Sequence, residues 1–397
     1  MKTDFFRYQA QTSEHPLTLQ IARAEGCYLY DQNGTAYLDF IAGVSANVLG
    51  HGHKKVVEAV QKQAERYMHV MVYGEFVQEP QVALCRFLAE HLPDNLNCTY
   101  LTNSGTEATE GALKLAKRVT GRFEIIAARN AYHGNTQGSM SVCGKEEQNR
   151  AFRPLIPGSR FIRFNEEADL EAITHKTAAV ILETIQGGAG FIVPADGYLK
   201  QVKLRCEKVG ALLILDEIQS GIGRTGSLFG FEQFGLVPDI VITGKGLGGG
   251  MPIGAFISSR EHMGALARSP KLGHITTFGG HPVIAAAALA TVKELYAASL
   301  MQQVSTKESL FRSLLQHELI LEVRGKGLML ALLLESGEMA SSLIHAALGE
   351  GLLLFWLLYE SRAVRITPPL TITEEEIKKG CAILLGILDR LATEKKA

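Results

Sequence analysis

The sequence predicts an α/β protein: a large domain built on a mostly parallel sheet covered by helices, beside a smaller α+β domain. Three observations carry this expectation. Short, continuous apolar runs alternate with helical patterns through the middle of the chain, as they do where strands are buried on both faces of a parallel sheet. After Pro282 the texture changes to alanine-rich helix and then to closely spaced strand patterns. At 397 residues the chain is long for one core and leaves room for roughly two to three domains.

In chain order, GCYLYDQNGTAYLDF reads as a hairpin, with two alternating strands joined across Asp31 to Thr35 and Asn33-Gly34 as the turn. A glycine-rich stretch, IAGVSANVLGHGHKKV, then leads into a helix beginning near Lys54. His51 and His53 have no third ligand nearby, so they are expected to serve the loop or the helix entry rather than a metal. Strands are expected at 98–102, 123–127, 178–182, 211–215, 240–242 and 253–258. Between two of them Leu199, Val202, Cys206 and Val209 form a helical stripe that stops at Gly210, and it reads as a crossover helix. Beyond Pro282 come helices over 283–298 and through Leu315, strands at 319–323, 328–334, 352–358 and 363–366, and a last helix from Glu374 to about Ala392. The most apolar run, LLLFWLLY from Leu352, is too short to span a bilayer and reads as a buried strand.

Composition excludes several classes of function. With 46% hydrophobic and 20% charged residues this is an ordinary globular chain, and 40 basic against 41 acidic residues offer nothing to nucleic acid or an anionic membrane. The six cysteines lack CxxC spacing and several sit inside apolar runs, the pattern of reduced thiols in a cytoplasmic protein. The N-terminal MKTDFFRYQAQTSEH has no apolar core of a secretory leader.

The residues that carry chemistry cluster at strand ends. Asp216 follows the run 211–215 and Lys245 follows 240–242 in the glycine-rich GKGLGGG, so both charges point into the crevice where open α/β sheets bind ligands. Taken singly, each would be a member of a structural ion pair. TNSGTEATEGALKLAKR, from Thr102, follows a strand and opens a helix. Ser104 and Glu107 have capping-box spacing, and Ser104, Gly105 and Thr106 with the helix dipole make an anion site. GKGLGGG is not a Walker loop, because Gly246 follows its lysine, and no dinucleotide fingerprint is present. An amine, a buried acid and a phosphate nest together fit pyridoxal phosphate, whose aldehyde, ring nitrogen and phosphate need those three partners.

On DQNGTAYLDF, LGHGH, NSGTEATE, AYHGN, ETIQG, LDEIQSGIGRTG, PDIVITGKGLGGGMPIGA, TTFGGHP, VRGKGLML and VRITPPL, the chain resembles class III pyridoxal-phosphate aminotransferases of fold type I. That group contains acetylornithine, ornithine and 4-aminobutyrate aminotransferases. The resemblance implies a seven-stranded-type sheet in a large cofactor-binding domain at 51–285, and a small domain assembled from 1–50 and 286–397. It implies that Lys245 holds the cofactor as an internal aldimine and moves the proton, while Asp216 pairs with the ring nitrogen. Gln219 would reach the ring hydroxyl, Tyr132 would stack on the ring with His133 beside it, and Glu183 would stand behind them. Ser104, Gly105 and Thr106 would bind the phosphate. Thr277 would reach the phosphate of a neighbouring subunit, which implies a homodimer with shared sites. Arg365 would take the substrate carboxylate. The implied reaction is a ping-pong amino transfer to a 2-oxo acid such as 2-oxoglutarate, with an aminomutase or decarboxylase on the same scaffold as the alternative.

The chain departs from the pattern of the acylornithine enzymes at several positions. Asn135 replaces an arginine after the HG of the aromatic loop, and Gly188 replaces the glutamate that gates the carboxylate-binding arginine. Lys54, His281 and Val44 stand where proline, asparagine and, in the ornithine enzymes, tyrosine are usual. Together these changes speak against an ordinary acetylornithine assignment and leave the cofactor set intact. These departures imply a permanently available Arg365 and an amino donor other than the usual acylated diamine.

Overall fold

A computed structural model describes residues 1–396. Strands β1 (Ile21–Glu25), β2 (Tyr28–Asp31) and β3 (Ala36–Asp39) form an antiparallel meander. The expected hairpin is β2–β3. Asp31 builds its turn, with Oδ1 accepting the N–H groups of Asn33 and Thr35, both at 2.9 Å, so the turn's donors are satisfied by a side chain. β1 has no counterpart in the sequence reading, because four of its five residues are exposed and it carries no apolar alternation.

The central sheet contains β4 (Cys98–Thr102), β5 (Glu124–Ala128), β6 (Ser159–Ile162), β7 (Thr177–Glu183), β8 (Leu212–Asp216), β9 (Ile240–Gly244) and β10 (Gly254–Ser258). Their spatial order is β4-β10-β9-β8-β7-β5-β6. β5 to β9 are mutually parallel and β10 runs antiparallel to both its neighbours. Every residue of β7, β9 and β10 is buried, which is why those strands read as unbroken apolar runs. β6, at the edge and half exposed, has no such run and escapes a reading based on periodicity.

Helices sit where the expected stripes place them. The helix Gly105–Thr120 buries Ala108, Ala112, Leu115 and Ala116 on one face, and a Cβ on its Gly111 would lie 2.3 Å from the ring of Phe256 on β10. Gly111 thus sets how closely the helix approaches the sheet. The crossover helix Tyr198–Val209 ends at Gly210, whose φ of 69° lies in the left-handed region that closes helices.

The C-terminal part contains helices Pro282–Ala297 and Leu300–Leu314, then β11 (Glu322–Lys326), β12 (Met329–Leu333), an unanticipated helix Gly337–Gly349, β13 (Leu352–Leu353), β14 (Phe355–Trp356), β15 (Ala363–Ile366) and the helix Glu374–Lys396. One expectation is corrected here: 352–358 is not a single buried strand. β13 pairs in parallel with β3, whereas β14 pairs with β15 in a different sheet of order β11-β12-β15-β14. The chain changes sheets at Leu354, and Phe355 and Leu358 are 38% and 50% exposed. A uniformly apolar run carries no mark of where its hydrogen-bonding partner changes, because both partners are remote in sequence. Among the described residues no single helix is long and apolar enough to cross a membrane.

Candidate active site

The parallel strands end on one edge of the sheet and deliver their last residues to one place. Glu183 and Asp216 are the final residues of β7 and β8 and stand opposite each other in register. Asp216 Oδ2 lies 2.7 Å from Nδ1 of the buried His133, and Asp216 Oδ1 accepts the Ile218 N–H at 3.0 Å. The carboxylate draws the imidazole proton to Nδ1, so this pair fixes the ring's tautomer and orientation. Glu183 accepts the N–H of Tyr132 at 3.3 Å and that of Gly187 at 2.8 Å. Burial pushes its carboxyl up to about 7; His133 pulls it down and the neighbouring Asp216 adds to the rise.

Lys245 follows β9 directly, with φ of 40°. A left-handed conformation costs a residue with a Cβ about 1–2 kcal/mol, and it marks a position the surrounding structure holds against strain. Burial lowers the Lys245 ammonium to about 8, helped by Arg365, while Asp216 and Glu183 work in the opposite sense. No ion pair joins Lys245 and Asp216 among the described residues, although both line the same cavity of about 620 Å³. They face it as two separate poles.

Gly105 and Thr106, at the first turn of their helix, line the same cavity. Ser104 does not line it; its Oγ accepts the Glu107 N–H at 3.3 Å and acts as the cap. Glu107 reaches back to the Asn103 N–H at 2.8 Å, one residue earlier than a capping box requires. The Thr106 hydroxyl meets those of Ser139 and Thr136 at 2.7 and 2.9 Å. This first turn leaves main-chain donors toward the cavity, as helix N-termini do.

Val44 lines the cavity from a backbone that sequence reasoning did not foresee. Ala42, Gly43, Val44 and Ser45 have φ of 50°, 58°, 61° and 68°, a turn of left-handed helix. Three of the four carry a Cβ, so the turn stores strain of about 3–6 kcal/mol. Asp39 offsets it: Oδ1 accepts the N–H groups of Ile41 and Ala42 at 2.7 and 2.9 Å, and Oδ2 is held by His51 Nε2 at 2.7 Å. His51 thus steadies a loop that shapes the cavity. Gln219, in the turns after β8, lines the cavity and donates to the Ser45 hydroxyl at 3.3 Å.

Arg365, on β15, is 6% exposed, and its Nε and Nη1 are buried without a hydrogen-bond partner. Burial lowers its guanidinium to about 10, and it lies 5.6 Å from the centre of the Phe191 ring. Unpaired buried donors of this kind are costly and mark a place for an anion. A Cβ on Gly188 would lie 3.0 Å from the Tyr359 ring, so the loop there is packed against an aromatic side chain.

Nine of the residues singled out from sequence meet here: Lys245, Asp216, Gly105, Thr106, Tyr132, His133, Glu183, Gln219 and Arg365. Thr277 does not. It lines a separate groove of about 490 Å³ with His69, Phe278 and His281. Sequence reasoning missed Ser220, Ile185 and the wall formed by Phe355 to Leu358. It also missed Glu217, fully buried, which accepts the hydroxyls of Thr184 and Ser220 at 2.6 Å and the N–H groups of Gly230 and Phe231 at 2.9 and 2.7 Å. Its carboxyl is raised by burial. The adjacent acids Asp216-Glu217, at the end of a buried strand, were the available signal.

An amine, a carboxylate and a helix N-terminus converge on one cavity at the carboxyl ends of a parallel sheet, where open α/β enzymes bind their ligands. The family model for class III aminotransferases matches residues 8–388, and the chain belongs to that family. It is 38% identical over 385 residues to an acetylornithine aminotransferase of Caldanaerobacter subterraneus, covering 94% of this chain and 95% of the relative. It is 40% identical over 381 residues to a putrescine aminotransferase of Pectobacterium atrosepticum, covering 91% and 81%. A solved ornithine aminotransferase from Toxoplasma gondii, described with partial occupancy of PLP at its active site, superposes with a TM-score of 0.93 at 31% identity, covering 100% of this chain and 96% of that one. The protein is thus an aminotransferase with fold type I architecture, and its family implies pyridoxal phosphate as cofactor.

The depressed Lys245 ammonium has a measurable consequence. Only the neutral amine attacks an aldehyde, so capture of pyridoxal phosphate by the apoprotein should accelerate as pH rises through about 8 and level off above it. The absorbance change on adding the cofactor reports this rate. A rate still climbing through pH 10 would contradict the assignment of Lys245 as a buried, depressed amine.

Proposed function

We propose that this protein moves an amino group from a small amino donor to a 2-oxo acid, 2-oxoglutarate serving as acceptor, by alternate binding of the two substrates at one site. The observation that carries the reading is the convergence of Lys245, Asp216 and the Gly105–Thr106 helix terminus on one cavity. Pyridoxal phosphate, when bound, supplies an electron sink for the bonds at the donor's amine-bearing carbon. Lys245 Nζ would hold the cofactor's aldehyde and, once the donor amine has displaced it, would move the proton at that carbon, a task suited to an amine depressed to about 8. Asp216, steadied by His133 at 2.7 Å, would pair with the cofactor's ring nitrogen and stabilise the proton there. Tyr132, whose N–H Glu183 accepts, would cover the cofactor ring, and Gln219 would bond to its hydroxyl. Gly105 and Thr106 take the phosphate, and Arg365 takes the substrate carboxylate with a planar fork suited to two parallel hydrogen bonds.

The same reading divides the chain into a large domain at 51–285 and a small domain from 1–50 and 286–397, and β13 pairing with β3 supports the union of the two ends. It makes the enzyme a homodimer in which Thr277 serves the partner's site, supported by the exposed apolar Met71, Phe76 and Phe278 around that groove. Six free cysteines suit the reducing cytoplasm.

The test is stoichiometry. Purified protein with pyridoxal phosphate should convert a donor to its oxo product one-for-one with glutamate, and only when 2-oxoglutarate is present. Product formed without an oxo acid would move the assignment to a mutase or a decarboxylase.

A further inference from the structure

Relatives of this chain are named for acetylornithine and for putrescine, donors with very different far ends. The wall of the cavity distinguishes between such donors. β14 pairs antiparallel with β15 so that Phe355 stands directly opposite Arg365, and residues directly opposite in such a pair project from the same face of the sheet. Both line the cavity, with Trp356, Leu357 and Leu358 beside them. Trp356 is fixed in place, its indole N–H donating to Ser341 Oγ at 3.0 Å and its ring meeting that of Phe355 edge-on at 5.3 Å. The Phe191 ring centre lies 5.6 Å from the Arg365 guanidinium. The guanidinium therefore has aromatic side chains for neighbours and leaves Nε and Nη1 unpaired.

The charges around the cavity are equally informative. Among the described residues its carboxylates are Glu183 and Asp216, and both are engaged: Glu183 by the Tyr132 and Gly187 N–H groups, Asp216 by His133 and the Ile218 N–H. A second ammonium on a donor would meet Arg365 and an aromatic wall, with no free acid to receive it. A carboxylate on an apolar arm would satisfy Arg365 and lay its methylenes along Phe355 and Leu358. Gly188 leaves no acidic side chain to compete for the arginine, and Tyr359 packs over the loop there.

We propose that Phe355 is a specificity-determining residue, and that with Arg365 it selects a donor bearing one carboxylate on an apolar body while rejecting diamines. This rests on the aminotransferase reading above. The discrimination comes from desolvation: an unpaired ammonium in an apolar pocket loses its hydration without compensation, whereas a carboxylate gains a charge-assisted pair.

The experiment uses the holoenzyme with a matched series: 5-aminopentanoate, pentylamine, putrescine and cadaverine, each followed by the single-turnover change in cofactor absorbance. The expected order of kcat/KM places 5-aminopentanoate first, ahead of either diamine by roughly a hundredfold, with pentylamine between them. Phe355→Glu puts a carboxylate beside Arg365 and should bring 5-aminopentanoate and cadaverine to within about tenfold of each other, while Phe355→Leu keeps the wild-type order. Calorimetric binding of pentanoate, which needs no turnover, should weaken roughly tenfold or more in Phe355→Glu and little in Phe355→Leu. Diamines equal to or better than 5-aminopentanoate, or an unchanged preference in Phe355→Glu, would overturn the proposal and leave the aminotransferase reading standing. Failure of every amine to alter the cofactor spectrum would instead overturn that reading and this proposal with it.

Discussion

Lys245→Ala is expected to abolish steady-state amino transfer, with a loss on the order of 10⁴-fold, and to remove the visible absorbance of bound pyridoxal phosphate. On the proposed function, two roles would be lost together: the hold on the cofactor and the group that moves the proton at the donor's carbon. Positioned proton transfer alone contributes about 10²–10⁴-fold. The lost ammonium is also one that burial had lowered to about 8, so its removal takes away a group poised near neutral pH rather than a general surface charge. Thermal unfolding provides the control. The backbone at position 245 stays in the left-handed region, with φ of 40°, whichever residue occupies it, so alanine inherits the strain and the fold should survive. A coloured, active Lys245→Ala protein would remove the basis for the whole assignment.

Asp216→Asn is the second large effect, and it separates electrostatics from structure. Asparagine keeps the size of the side chain and can still meet His133 at the 2.7 Å contact, but it removes the negative charge facing the cavity. The expected result is a fall in kcat of roughly 10²–10³-fold at saturating cofactor, the range seen when a preorganised electrostatic partner is removed from an active site. Asp216→Ala should add a stability cost, because it leaves the buried His133 Nδ1 without a partner. Orphaning a buried polar group of this kind costs about 1–3 kcal/mol. Parallel measurement of kcat and melting temperature distinguishes the two variants, and a wild-type kcat in Asp216→Asn would remove Asp216 from the chemistry.

Much of the central sheet was legible because its strands are buried on both faces. The residues of β7 and β9 have no exposed member, so an unbroken apolar run was all that a sequence could show and all that was needed. The strands that escaped, β1 and β6, are exposed or half exposed and lack that signal. Asp216 and Lys245 were legible for a related reason: a charge placed at the end of an apolar run stands at the end of a strand, and parallel strands end together. The helix at Gly105 announced itself through Ser104, although Glu107 bonds to Asn103 rather than closing the expected box.

What sequence alone determined about this protein is the set of candidate groups that meet in the cavity and the edge of the sheet that presents them, because burial period and strand-end position are local properties. Tertiary structure decided what surrounds them. The left-handed turn at Ala42–Ser45 exists because Asp39 and His51 hold it, and the run from Leu352 splits between two sheets because β3 and β15 claim different halves. Phe355 stands beside Arg365 through a pairing between strands that no periodicity encodes. Hydrogen-bond partners chosen across long sequence distances leave no trace in local pattern, and the walls of this cavity are made of such choices.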